Sequence, residues 1–282
     1  MAPTTPSTAY SRDLGDELKK LRESTTNLTG RALAVRLGWD PSKVSNIENG
    51  KVRPSEVDLI QFLMMCGKDL PFFEDFKQRY RRAFDDYIVL VPENLRTVAM
   101  AEASATTITA YDVLTITGLL QTDRYADGLY RHSGLVVEER IPALVQIRGH
   151  RQAVLRRHDR PDCLFYIHEL ALRQRFGDDQ VMEEQYLHLL FNVRLIRIVP
   201  ADVPAISTGL ILWEFEKALP VAFNDSDLAK VFVQEPGAIA RIRLTFDRLK
   251  QVALDEEQSR QKLMEYISLP REGVDERGPR MA

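Results

Sequence analysis

Residues 42–53 carry many hydrogen-bond donors and few acids. Ser42, Lys43, Ser45 and Asn46 are followed closely by Asn49, Lys51 and Arg53. These residue types suit one kind of chemistry in particular. An asparagine amide pairs with the adenine edge in a DNA major groove, and a lysine donates to guanine. Lysine and arginine neutralise backbone phosphates. From Arg31 to Arg53 the basic residues are Arg31, Arg36, Lys43, Lys51 and Arg53, and the acids are Asp40 and Glu48. That local excess lies in a chain of 282 residues whose net charge is -3, from 38 Lys+Arg and 41 Asp+Glu. Any nucleic-acid contact must therefore come from a local patch, since no basic tail is present.

Such donors need a short helix with a buried inner side, and the flanking residues predict one. Gly38 ends a helix whose cap is Thr29 and whose apolar residues are Ala32, Leu33, Ala34 and Leu37. Pro41 opens the next helix, Val44 and Ile47 form its inner side, and Gly50 stops it. Two helices joined by a tight glycine turn make a helix-turn-helix. A helix from Ser11, with Leu14, Leu18 and Leu21 on one face, precedes the pair. Ser55 caps a fourth helix, and Phe72–Phe84 forms a fifth. The backbone N–H groups at the start of the short helix are expected to face phosphate. Glu48 is expected to be structural.

The quoted residues carry a resemblance. LGDELKKLRE, RALAVRLG and SKVSNIENGKVRPS are similar to the phage-repressor-like (Xre-type) helix-turn-helix domain. Its most specific parts are Ala34–Gly38 and Ser45–Gly50. Where that family often opens its second helix with a phosphate-touching Gln, this chain has Thr29–Gly30–Arg31, and Arg31 is expected to substitute for the Gln electrostatically. Downstream, ITGLLQTDRYADGL, HELALRQRFGDDQVMEEQYLHL and LDEEQSRQKL resemble the C-terminal domain of unknown function on actinobacterial WhiJ-like regulators. That resemblance covers roughly residues 83–268. It implies a transcriptional regulator of development or secondary metabolism, often encoded beside a small acidic companion protein.

The expected fold is α+β with two domains. Residues 1–10 form a disordered arm, 11–82 an all-helical domain of five helices, and 83–105 a helical connector. Residues 106–268 form a larger α/β domain that binds an effector or partner, and 269–282 a disordered tail. In the larger domain, Gln121 and Thr122 could be donors in a ligand-binding turn with Tyr125 beside them. Alternatively, Thr122 caps a helix and Leu119 and Leu120 enter the core. Arg148 and Arg151 begin a basic run that is either a solvated face or a docking surface for an acidic partner.

Other chemistry finds no support in the residues. His168–Glu169 lacks the second histidine of a zinc-protease helix, because position 172 is leucine. His132, His150, His158 and His188 have no ligand spacing. No nucleophile elbow, phosphate loop or dinucleotide fingerprint occurs. No catalytic residue, metal or cofactor is expected. Cys66 and Cys163 lie far apart and outside any Cys-x-x-Cys pair, which suits buried thiols in a reducing cytoplasm. No apolar run is long enough to span a membrane. The expected protein is a cytoplasmic homodimer on a pseudo-palindromic operator in double-stranded DNA, with a small-molecule effector or companion protein. The alternative is an antitoxin-like interaction protein whose DNA binding is autoregulatory.

Overall fold

The computed structural model describes residues 7–90, 95–205, 209–226 and 229–268. The chain forms two compact units. The first comprises Met1–Thr109, Asp159–Asp162 and Gly209–Asp247, and the second Ala110–His158, Cys163–Thr208 and Arg248–Ala282.

The first unit begins with five helices: α1 (Ala9–Thr25), α2 (Gly30–Leu37), α3 (Pro41–Glu48), α4 (Glu56–Met65) and α5 (Leu70–Arg81). Strand β1 (Tyr87–Leu90) and helix α6 (Arg96–Ser104) follow, and then β2 (Thr107–Asp112), along which the two units divide. The second unit continues with α7 (Asp123–Ser133), α8 (Ile141–Arg151), β3 (Asp162–His168), α9 (Glu169–Arg173), α10 (Asp179–Phe191) and β4 (Ile196–Val199). Strands β5 (Leu210–Glu214), β6 (Val221–Asp225) and β7 (Lys230–Val233) belong to the first unit. Helix α11 (Pro236–Val252) leads to α12 (Glu256–Ser268). The seven strands run in the order β1-β7-β6-β5-β2-β3-β4. β1, β7, β6 and β5 pair antiparallel, and β3 pairs with β4 in parallel.

Local chemistry sets the helix ends. Thr29, Ser55 and Thr122 accept the N–H of Ala32, Asp58 and Tyr125, each as an N-cap. Pro41 and Pro71 sit in first turns, where the missing N–H costs nothing. Gly38 takes φ +68° between α2 and α3, a conformation that favours glycine.

The expected arm over residues 1–10 is corrected at its end. The Thr8 side chain caps α1, its hydroxyl donates to the carbonyl of Ala83, and Ala9 and Tyr10 are buried. Residues 1–6 and the expected tail, 269–282, lie outside the described residues. The connector over 83–105 is not wholly helical. Tyr87–Leu90 pairs with β7, so Ile88 is buried opposite Phe232. Residues 138–156 are not one continuous α-helix: α8 has Pro142 in its first turn and is flanked by 3-10 turns at Glu138–Arg140 and Gln152–Arg156.

In the first unit, α1 lies against the end of α3 at backbone distance. A Cβ on Gly15 would stand 2.7 Å from the carbonyl oxygens of Ile47 and Glu48. A Cβ on Gly50, where φ is +62°, would stand 2.3 Å from the carbonyl oxygen of Ser11. The Ser11 hydroxyl donates to the Gly50 carbonyl at 2.9 Å. Gly50→Ala adds both overlap and a strained φ, so it should destabilise the first unit by about 2–4 kcal/mol in urea unfolding. Gly67→Ala also sits at positive φ, but its Cβ would meet nothing within 4 Å. It should cost only about 1–2 kcal/mol.

Candidate nucleic-acid interface

Helix α3 buries Val44, Ile47 and Glu48 and leaves Ser42, Ser45 and Asn49 exposed, with Asn46 half-buried. The buried glutamate is satisfied. Arg22 of α1 donates from Nε to Glu48 Oε1 at 2.6 Å and from Nη2 to Oε2 at 3.0 Å. Its Nη1 donates to the carbonyl of Leu28 at 2.8 Å. Hydrogen bonds to Glu48 hold the Arg22 guanidinium above its ordinary pKa, although burial works against this. The structural role expected for Glu48 is thus a fork-to-fork ion pair between α1 and α3.

The outward residues differ in how free they are. The Asn46 amide has no side-chain partner among the described residues, and neither have Arg31 and Lys51, both exposed. The other candidates are engaged. Asp40 caps α3, its Oδ1 accepting the backbone N–H of Ser42 at 2.7 Å. Hydrogen bonds from the Ser42 hydroxyl and N–H hold the Asp40 carboxyl below the usual carboxylate range. The N–H of Ser42 expected to face phosphate is therefore already taken by a carboxylate of the same chain. Asn49 folds back, its Nδ2 donating to the Ser45 carbonyl at 2.6 Å and lying 3.3 Å from the Ser45 hydroxyl. Arg53 is exposed and donates to the carbonyl of Arg81 at 2.7 Å. Lys43 is held most firmly. Its Nζ donates to Asp58 Oδ1 at 2.6 Å and lies 4.4 Å from the ring centroid of Trp39.

In the second unit, the turn at Gly118–Thr122 is an internal knot of hydrogen bonds. Gln121 is buried, its Nε2 donating to the Ile116 carbonyl at 2.6 Å. The Thr122 N–H donates to Gln185 Oε1 at 2.7 Å, and Gln185 Nε2 returns a bond to the Leu120 carbonyl at 2.7 Å. Tyr125 is buried, and its hydroxyl accepts the N–H of Ile116 at 3.2 Å. Arg148 donates to Gln121 Oε1 and, at 2.7 Å, to the Tyr130 hydroxyl. Gln152 donates to the Gln121 carbonyl at 2.5 Å. Arg151 is half-buried at the same turn, its guanidinium 4.0 Å from where a Cβ on Gly118 would stand. Of the two roles open to Gln121, Thr122 and Tyr125, the bonds made are those of the cap and the core.

A model described as a helix-turn-helix domain matches residues 13–70. A second, described as a domain of unknown function (DUF5753), matches residues 95–265, more than half of the 282 residues. The chain belongs to the DUF5753 family. No curated protein and no solved structure matches it. Its helix-turn-helix region is of the DNA-binding class. Among the described residues, no helix of this DUF5753 protein is long and apolar enough to cross a membrane.

Sequence reasoning missed the residues that fix the two sites. Arg22 reads as one more charge on an amphipathic helix, and only the burial of Glu48 calls for it. Gln185 sits 63 positions from the Thr122 it holds. Asp58 had a local signal, since Ser55-x-x-Asp58 forms a capping box. Removing one partner of a buried ion pair leaves the other charge uncompensated. Glu48→Ala should therefore cost about 3–5 kcal/mol in denaturant unfolding, with much of that loss recovered by combining Arg22→Met with Glu48→Leu. Equal losses for the single and double variants would contradict the pairing.

Proposed function

We propose that this protein is a sequence-specific DNA-binding transcriptional regulator of the Xre type, acting in the cytoplasm of an actinobacterium. Helix α3 enters the major groove. Asn46 reads an adenine edge, Ser42 and Ser45 line the same outward side, and Arg31, Lys51 and Arg53 meet phosphates. The observation that carries this reading is the contrast across α3. Its inner side is locked by Val44, Ile47 and the Arg22–Glu48 pair, while the Asn46 amide has no side-chain partner among the described residues.

A homodimer on a pseudo-palindromic operator follows from the geometry of such motifs, with two recognition helices about 34 Å apart. The DUF5753 region serves as the module that responds to a signal. Partner docking is favoured over a ligand at Gly118–Thr122, because Gln121 and Thr122 already bond within the unit. A small acidic protein would meet the exposed arginines later in the basic run, Arg156 and Arg160, because Arg148 is committed to Gln121 and Tyr130.

Asn46→Ala should weaken binding to a selected site by about 1–3 kcal/mol and binding to random DNA by much less. Equal losses on both would show that Asn46 reads no base. With about 3–5 phosphate contacts per protomer, the log–log dependence of affinity on salt should have a slope of about -5 to -9 for the dimer. A gel-shift series flat in salt would exclude the reading.

A further inference from the structure

The lysine at the start of the recognition helix is already partnered within its own domain. Lys43 lies between two groups of its own domain, the Trp39 ring in the preceding turn and the Asp58 carboxylate on α4. The Lys43 side chain keeps 36% of its exposure and that of Asp58 keeps 18%. Asp58 cannot swing freely, because it is the third residue of a capping box. Its Oδ2 accepts the N–H of Ser55 at 3.2 Å, and its own N–H donates to the Ser55 hydroxyl at 3.1 Å. Burial raises the Asp58 pKa, but the Lys43 ammonium and the Ser55 donors outweigh it, so the carboxyl titrates below the ordinary range. The carboxylate is thus a fixed anion beside the one lysine of α3.

We propose that Asp58 is a specificity-determining residue, a carboxylate that competes with DNA phosphate for Lys43 and keeps that lysine out of sequence-independent binding. The inference rests on the DNA-binding reading above. A lysine free at this position would add one counterion-releasing contact on any sequence. It would raise affinity for random DNA as much as for the operator and so dilute selectivity. Held on Asp58 and Trp39, it adds little to either, and discrimination falls to uncharged donors such as Asn46. The clamp also ties the start of α3 to the start of α4, which fixes the orientation of the outward side.

The test uses the full chain with two duplexes, one selected from a random-sequence library and one of scrambled sequence. Asp58→Asn keeps a side-chain oxygen for the Ser55 N–H and removes the charge that holds Lys43. The scrambled duplex should then bind at least about threefold more tightly, with a salt slope steeper by about 0.9 per protomer, and the preference for the selected duplex should fall. Adding Lys43→Ala to Asp58→Asn should abolish the gain. A gain that survives in the double variant would show a general charge effect and overturn the proposal, as would an unchanged slope in Asp58→Asn.

Lys43→Ala alone gives an independent reading should Asp58→Asn fold poorly. It should leave the slope on scrambled DNA at the wild-type value. A slope shallower by about 0.9 per protomer would mean that Lys43 meets phosphate despite the carboxylate, and would also overturn the proposal. Failure of the wild-type chain to bind either duplex would instead sink the DNA reading on which the inference rests.

Discussion

The backbone of α1 touches the end of α3 at a separation that leaves no room for a Cβ on either side. Gly15 within α1 and Gly50 after α3 are the two residues that carry no Cβ at this contact. A glycine inside a helix costs about 1 kcal/mol against alanine. Here that cost permits a contact no other residue allows. The Ser11 hydroxyl bonds the Gly50 carbonyl at one end of the contact, and the Arg22–Glu48 pair closes the other. With its inner side held this way, α3 has one outward side and one orientation. Reading a base edge requires both, because a hydrogen bond weakens steeply once its angle is lost.

The same helix α1 is anchored on its far side by charge. Arg96 of α6 reaches Asp13, Asp16 and Glu17 at 3.0, 2.8 and 3.2 Å, and Thr97 donates to Asp13 at 2.6 Å. Arg79 of α5 makes a fork with Glu17 at 2.8 and 3.0 Å. The Ala9 N–H donates to the side-chain oxygen of Gln234 at 3.0 Å, just after β7. Burial raises the Asp13 pKa even though Thr97 and Arg96 work in the opposite direction. Helix α1 therefore belongs both to the helix-turn-helix and to the strand-bearing part of the first unit. This is why the compact unit does not end where the five helices end.

Much of this was legible in the residues. Caps and stops are local chemistry, so Thr29, Gly38, Pro41, Ser55 and Thr122 could be placed from sequence. The alternation of Val44 and Ile47 with Ser42, Ser45 and Asn46 fixed which side of α3 faces outward. Long-range partners were not legible. Nothing near Lys43 announces that it will bond Asp58, fifteen positions on. Nothing near Asn49 says that it will cap its own helix and not reach outward. The charge excess around α3 was real as a count, but a count does not show which ammonium groups are already paired. The strand at Tyr87–Leu90 was missed because four apolar residues have too short a period to separate strand from helix. Only pairing with β7 settles it.

The central claim is that the outward side of α3 lies in a DNA groove, and a tethered cleavage reagent tests it most directly. Both native cysteines are buried, so Ser42→Cys gives a single reactive thiol at the exposed start of α3. An iron chelate attached there cuts nearby sugars in whatever duplex the protein selects from a random library. The account predicts cuts confined to a few base pairs in each half-site, with the two clusters about one helical turn apart. Cuts spread evenly along a bound duplex, or no cuts while the duplex stays bound, would place α3 away from the groove and contradict it.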